Sequence, residues 1–393
     1  MRKITCDRLY PVAQPPIENG VVVVADDGLI LQVGTAIDFD RSELEYHRGV
    51  IVPGFVNAHC HLELSHMKGK VPTGTGLIPF ITSVVQQRSA TSEMIAEAIR
   101  NADAEMYQNG IVAVGDISNT ADTFARKAAS PIRYYTFVEM FDFLQDDQAE
   151  HCFEQYHAVF EQLTLPPGHR KTCVPHAPYT VSPSLFAKIR TFNTGPQQTV
   201  SIHNQEMEAE NALFRNKTGA LIPFYEGFDL SLAHFSPIGA GSIHYALMHL
   251  DPDQRTLFVH NTLTTEEEAR AAHAWSEHVY WATCPNANLY IENRLPDYAA
   301  LGAAGARITI GTDSLTSNWQ LSVLEEMKTI MRYQSFIPFD EILQWATLNG
   351  AHALGFAETL GSIEAGKRPG LNLLEMDAAD PVLTNGTSVV RLV

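Results

Sequence analysis

Eight short apolar runs alternate with helix-like stretches through the middle of this chain, and that alternation limits the fold more than any other feature. The runs lie near Ile51–Ala58, Ile111–Gly115, Arg133–Glu139, Thr172–Pro175, Gln198–Ile202, Thr256–Val259, Val279–Thr283 and Arg307–Gly311. Helical patterning fills several gaps, as in Met94–Tyr107 after the first run, and Leu321–Met331 and Ile342–Leu354 follow the eighth. Eight strand–helix units predict an α/β fold, a (β/α)8 TIM barrel. A barrel takes roughly 250 residues, and the chain has 393, which leaves room for a smaller unit. Residues 19–33 read as a β-hairpin turning at Asp27-Gly28, while Leu371–Leu374 and Ser388–Val393 read as short strands after a turn-rich stretch. Both termini therefore predict strands of one small β domain.

Composition narrows the partners. A net charge of −18 argues against a nucleic-acid backbone or an anionic membrane. Apolar content of 45% with 18% charged residues is that of an ordinary globular protein. Met1-Arg-Lys-Ile-Thr-Cys has no apolar leader core, and the five cysteines are scattered with no Cys-x-x-Cys, so a reduced, cytoplasmic protein is expected. A homodimer is left open.

Side chains two apart on a strand share a face, with Cα atoms roughly 6–7 Å apart. His59 and His61 end the first run in this relation, so both can reach one metal ion. Of the 16 histidines, His176, His203 and His260 also end predicted strands, and Asp313 ends the eighth. A barrel gathers such ends in a ring. His59, His61, His203 and Asp313 then form a three-nitrogen, one-carboxylate shell suited to one divalent ion, zinc first and ferrous iron second. A metal there acidifies water toward neutral pH. Glu206, three residues after His203, is the candidate proton shuttle. Asp313 can take the water's proton, and His260 can orient the oxygen or stabilise charge.

Other residues weigh differently. His-x-His alone is a weak signal. His176 reads as a substrate contact only slightly ahead of a structural histidine, and Glu63 faces the pocket or caps a loop at even odds. His66, His234 and His244 read as solvated or packing residues, and Cys60 as buried and turned from the metal. Arg133 reads as a barrel-bottom charge, and the phenylalanines and tyrosines of 224–245 as local packing. Two long connections, Leu62–Pro79 and Gln205–Asp253, belong at the barrel mouth, and the first could serve as a lid.

Taken in order, Pro53-Gly-Phe-Val-Asn-Ala-His-Cys-His61, Pro175-His-Ala-Pro-Tyr179, His203-Asn-Gln-Glu206, His260-Asn261, Cys284-Pro285 and Gly311-Thr-Asp-Ser314 resemble the amidohydrolase superfamily, in its mononuclear deaminase and chlorohydrolase branch. Ala346–Gly355 and Gly361–Lys367 match its closing helix and return strand, so the resemblance spans almost the whole chain. It implies a barrel over 51–357 and a β-sandwich from 1–50 and 358–393. It also implies metal binding by His59, His61, His203 and Asp313, with Glu206 and His260 acting on water and substrate. His176 stands where dinuclear relatives carry a bridging lysine, which implies one metal. Pro369-Gly-Leu and Cys284–Tyr290 depart from the usual pattern.

The retained Glu206 favours deamination, since an aromatic amidine must be protonated at a ring nitrogen before ammonia leaves. His61-Leu-Glu-Leu-Ser65, a glycine-rich loop and Ile78-Pro-Phe-Ile81 look most like aminodeoxyfutalosine deaminases of menaquinone synthesis, with adenosine and S-adenosylhomocysteine deaminases close behind. The alternatives are a guanine- or cytosine-type base deaminase, a triazine-like chlorohydrolase, and a catalytically silent ligand-binding homologue.

Overall fold

A computed structural model describes residues 1–195 and 198–393. Five strands open the chain: β1 (Arg2–Leu9), β2 (Ile17–Glu18), β3 (Gly20–Val24), β4 (Ile30–Thr35) and β5 (Glu45–Pro53). Eight follow in the barrel: β6 (Phe55–Cys60), β7 (Ile111–Ser118), β8 (Arg133–Met140), β9 (Arg170–Pro175), β10 (Thr199–Asn204), β11 (Arg255–His260), β12 (Val279–Thr283) and β13 (Ile308–Ile310). Two close the chain, β14 (Leu371–Glu375) and β15 (Ser388–Arg391).

The terminal strands meet in one sheet, in the order β15-β14-β5-β1-β3-β4, with β2 paired to β1. The expected hairpin is the antiparallel β3–β4 pair, and Gly28 in its turn takes φ +81°. Ile4, Leu9, Val22, Ile30, Ile51 and Leu371 form an apolar cluster of their own on this sheet.

The run expected over Ile51–Ala58 is two strands, because the chain passes from the terminal sheet into the barrel at Gly54. Its amide donates to Pro369 O (3.1 Å), and a Cβ there would lie 2.2 Å from Val112 Cγ1. Only glycine fits so close a crossing.

The barrel strands form two parallel four-stranded sheets, β6-β7-β8-β9 and β10-β11-β12-β13. They are buried along nearly their whole length, as strands covered on both faces should be. The sheets meet at two seams. At one, the Thr312 and Asp313 amides both donate to His59 O (3.0 Å each). At the other, the His203 amide donates to His176 O (2.9 Å). Both seams run through the residues the sequence singled out. Among the described residues, no helix is long and apolar enough to cross a membrane.

Candidate active site

His59, His61, His203 and Asp313 converge at the carboxyl end of the barrel. His61 Nε2 lies 3.1 Å from His59 Nε2 and 3.3 Å from His203 Nε2. Asp313 Oδ1 lies 3.4 Å from His61 Nε2 and 3.7 Å from His59 Nε2. Burial and the neighbouring imidazoles hold His59 and His203 well below the usual histidine pKa, so both are neutral. His203 Nδ1 donates to His176 O (2.8 Å), which leaves its Nε2 with a lone pair. Three imidazole nitrogens aimed at one another have too few hydrogens to satisfy the group. A cation resolves the conflict, and this donor set suits a divalent metal ion.

The backbone around the cluster is strained. Gln205, His260, Asn261 and Asp313 all have positive φ, from +47° to +72°. For residues other than glycine each costs on the order of 1 kcal/mol or more, so surrounding bonds must hold them. Glu210 supplies two: its carboxylate accepts from the Gln205 amide (2.9 Å) and the Glu206 amide (3.1 Å). Asn261 N donates to Asn204 O (3.1 Å). Ser317 Oγ donates to Asp313 Oδ2 (2.6 Å), leaving Oδ1 turned to the histidines.

Glu206 is buried, with Oε2 3.7 Å from His260 Nε2. Burial raises its carboxyl to about 7, against the opposing pull of His260. Asn288 Oδ1 lies 2.8 Å from His260 Nδ1, so that nitrogen carries a hydrogen and Nε2 faces the site. Burial alone would lower the His260 pKa, but Glu206 and Asp313 outweigh it and raise it.

Glu63 both faces the pocket and ties a loop. Its Oε2 accepts from the Asn119 amide (2.9 Å), the Thr120 amide (3.1 Å) and Thr120 Oγ1 (3.2 Å), while the residue lines the cavity. His176 also lines the cavity, with Nδ1 2.7 Å from Thr180 Oγ1. Cys60 is fully buried. His66 Nε2 donates to Arg88 O (2.8 Å) and His234 Nε2 to Leu144 O (2.7 Å), both packing roles. Arg133 donates to Thr359 Oγ1 at the start of β8, far from the strand ends that bear the site. Lys171 is occupied with Phe160 O and Leu163 O.

The cavity measures about 520 Å³. Its floor holds His61, His203, His260, Glu206 and Asp313. Its outer wall includes Phe80, Val84, Phe141, Phe143, Phe224 and Phe228. This corrects the reading of 224–245 as packing alone. Tyr225, Phe235 and Tyr245 are buried in the core, but Phe224, on the short helix Leu221–Glu226, and Phe228, in the turn after it, both line the cavity. The sequence reading also missed Glu139, Glu210 and Asn288. Glu139 Oε1 lies 3.3 Å from His203 Nδ1. Its signal was a carboxylate ending the third apolar run, the same signal that marked Asp313.

A model of the Amidohydrolase family matches residues 50–391. An adenosine deaminase of Helicobacter pylori is 29% identical over 89% of this chain and 86% of that protein. The structure of Helicobacter pylori aminofutalosine deaminase in complex with methylthio-coformycin superposes with TM-score 0.84 at 23% identity, covering 100% of both chains. The structure of an adenosine deaminase from Xanthomonas campestris with bound zinc superposes with TM-score 0.73 at 24% identity, covering 96% of this chain and 85% of that one. At such identities the superpositions establish the fold.

Proposed function

This chain belongs to the amidohydrolase family, and on that premise we propose that it is a metal-dependent deaminase of 6-aminopurine nucleosides. It is a hydrolase of carbon–nitrogen bonds in cyclic amidines, and its best substrate is aminodeoxyfutalosine, ahead of adenosine and S-adenosylhomocysteine. The observation that carries the reading is the buried Glu206 carboxyl facing His260 on the same cavity floor as three converging imidazoles. Chlorohydrolysis needs less help from an acid, because chloride leaves without being protonated. The 51–357 segment carries the chemistry in this proposal, and 1–50 with 358–393 form the β-sandwich beside it.

His59, His61, His203 and Asp313 would hold the metal, zinc in our reading. When bound, it supplies Lewis acidity that makes water nucleophilic near neutral pH. Glu206 gives its proton to the ring nitrogen beside the amino-bearing carbon, which makes that carbon electrophilic. Asp313 accepts a proton as water adds. His260 Nε2 donates to the oxygen as the carbon becomes tetrahedral. Asp313 passes its proton to the amino group, ammonia leaves, and the new hydroxyl returns a proton to Glu206. Glu63 and His176 are assigned to the rest of the nucleoside.

The test is ammonia release by zinc-loaded protein on 6-amino-6-deoxyfutalosine, adenosine, S-adenosylhomocysteine, guanine and cytosine. Turnover of a 6-aminopurine nucleoside is expected. Silence on all five with metal bound would remove the proposal.

A further inference from the structure

Behind the cavity floor, the segments that follow β12 and β13 meet at one buried carboxyl. Glu326, on the helix Val323–Tyr333, is fully buried and lies outside the cavity lining. Its Oε2 accepts from the Asn286 amide (2.8 Å), and its Oε1 accepts from Asn286 Nδ2 (3.0 Å) and Asn318 Nδ2 (2.7 Å). No cation pairs with it among the described residues, and Lys328, two residues on, pairs with Glu325 instead (2.7 Å). Burial raises its carboxyl to about 8, against the pull of the three N–H donors. An acid buried without a cation is costly, and no step of the proposed chemistry uses its proton. What it does is join two segments of the floor.

The first segment carries Asp313. Asn318 Nδ2 donates to Thr312 O (2.8 Å) as well as to Glu326, and Thr312 O belongs to the peptide that leads into Asp313 at its φ of +55°. Ser317, which donates to Asp313 Oδ2, directly precedes Asn318. Both ends of the 312–318 loop are thus fixed at one point. The second segment orients His260. Asn286 is the second residue of the helix Pro285–Glu292, where backbone amides lack partners within the helix, and Cys284 at its start gives no side-chain bond to them. Glu326 supplies the missing acceptor from outside. Thr329, on the same helix as Glu326, adds a bond to Asn286 Oδ1 (2.6 Å). Two residues beyond Asn286, Asn288 Oδ1 meets His260 Nδ1 (2.8 Å).

We propose that Glu326 is a positioning residue for the hydrolysis: through Asn318 it sets Asp313 for the metal, and through Asn286 it sets the helix that aims His260. This rests on the deaminase reading of the same floor. Glutamine in its place keeps one accepting oxygen and turns an amide N–H toward a donor, so part of the clamp is lost. Alanine frees both segments.

The experiment uses the full chain and the variants Glu326→Gln, Glu326→Ala and Asn318→Ala. It measures zinc affinity by chelator competition, kcat and KM of the zinc-loaded protein on the nucleoside the wild type turns over best, and the thermal midpoint. Glu326→Gln is expected to lower kcat about tenfold with KM within about twofold. Glu326→Ala should lower kcat and zinc affinity each by about 10- to 100-fold, the range typical of groups that orient metal ligands. Asn318→Ala should weaken zinc binding, and Glu326→Gln added to it should weaken zinc no further, since both act on Asp313 by one route. Wild-type kcat and zinc affinity in Glu326→Gln, or a lower midpoint as the sole change, would overturn the proposal. If Glu326→Ala fails to fold, Glu326→Gln and Asn318→Ala carry the same test. A wild type that binds zinc yet releases no ammonia from any nucleoside would overturn the deaminase reading, and the zinc affinities would still decide the place of Glu326.

Discussion

The floor of the cavity and its outer wall are built by opposite means. At the floor, donors from β6, β10 and the loop after β13 reach one point, and several side chains and the turn beside them are held by named bonds: Asp313 by Ser317, His203 by His176 O, His260 by Asn288, the turn before Glu206 by Glu210. In the wall, the helix Leu77–Gln87 and two aromatic segments present apolar side chains that need no particular partner. Polar groups at the floor must be placed to fractions of an ångström, because buried donors and acceptors are costly when unpaired. Apolar groups in the wall need only the right shape and side. The floor therefore specifies a reaction, and the wall selects which molecules undergo it.

If that division holds, the largest effects come from the floor. Glu206→Gln keeps the shape and removes the transferable proton. It should lower kcat on the order of 10³-fold, within the range typical of one acid–base group, while metal content by elemental analysis stays at one per chain. A variant with ordinary turnover would strip Glu206 of its part in the chemistry.

The same division explains what could be read from the chain beforehand. The eight strands, the terminal β unit and all four members of the converging cluster were legible, because a strand end is a position in sequence as well as in space. His59 lies near the end of β6 and His61 just beyond it, and Asp313 comes three residues after β13. Glu63 was legible as an even choice, and it does both things: one carboxylate oxygen ties Asn119 and Thr120 while the residue faces the cavity. Glu210 was not legible. It lies on the helix Glu208–Asn216, and only the tertiary turn reveals that its carboxylate receives the Gln205 and Glu206 amides. Phe224 and Phe228 were misjudged for a related reason. An apolar side chain looks the same in sequence whether its neighbour is a core or a cavity.

Glu210 sharpens the comparison because it touches no reacting atom in our mechanism. Removing it frees two amides and relaxes the positive φ of Gln205, so Glu206 loses its aim. Glu210→Ala should lower kcat by about 10- to 100-fold with little change in KM, and Glu210→Gln, which keeps one acceptor, should recover part of the loss. An equal fall in kcat and stability with no rescue by glutamine would mark Glu210 as a structural prop alone.

Protonation gives the next effect. Burial raises the Glu206 carboxyl to about 7, and the proposed step needs its proton. The sign follows: below about pH 7 the acid is present, and above it the protonated fraction falls tenfold per unit. The alkaline limb of kcat/KM should therefore break near 7 with unit slope, and this limb should be missing from the residual activity of Glu206→Gln. A limb that persists in that variant would assign the titration to another group.

The smallest effect belongs to the wall. Phe228 lines the cavity yet is 45% exposed, so part of its ring is already in water. Partly exposed contacts are worth less than about 1 kcal/mol when truncated. Phe228→Ala should therefore raise KM for the nucleoside turned over by only about threefold, the factor such an energy allows, with kcat unchanged. A loss of kcat as large as that of Glu210→Ala would break the division. It would mean that the wall shapes the floor, through the ring contact that links Phe224 to Phe228 and the packing of Phe224 on Tyr225, whose hydroxyl donates to Tyr179 O beside the site.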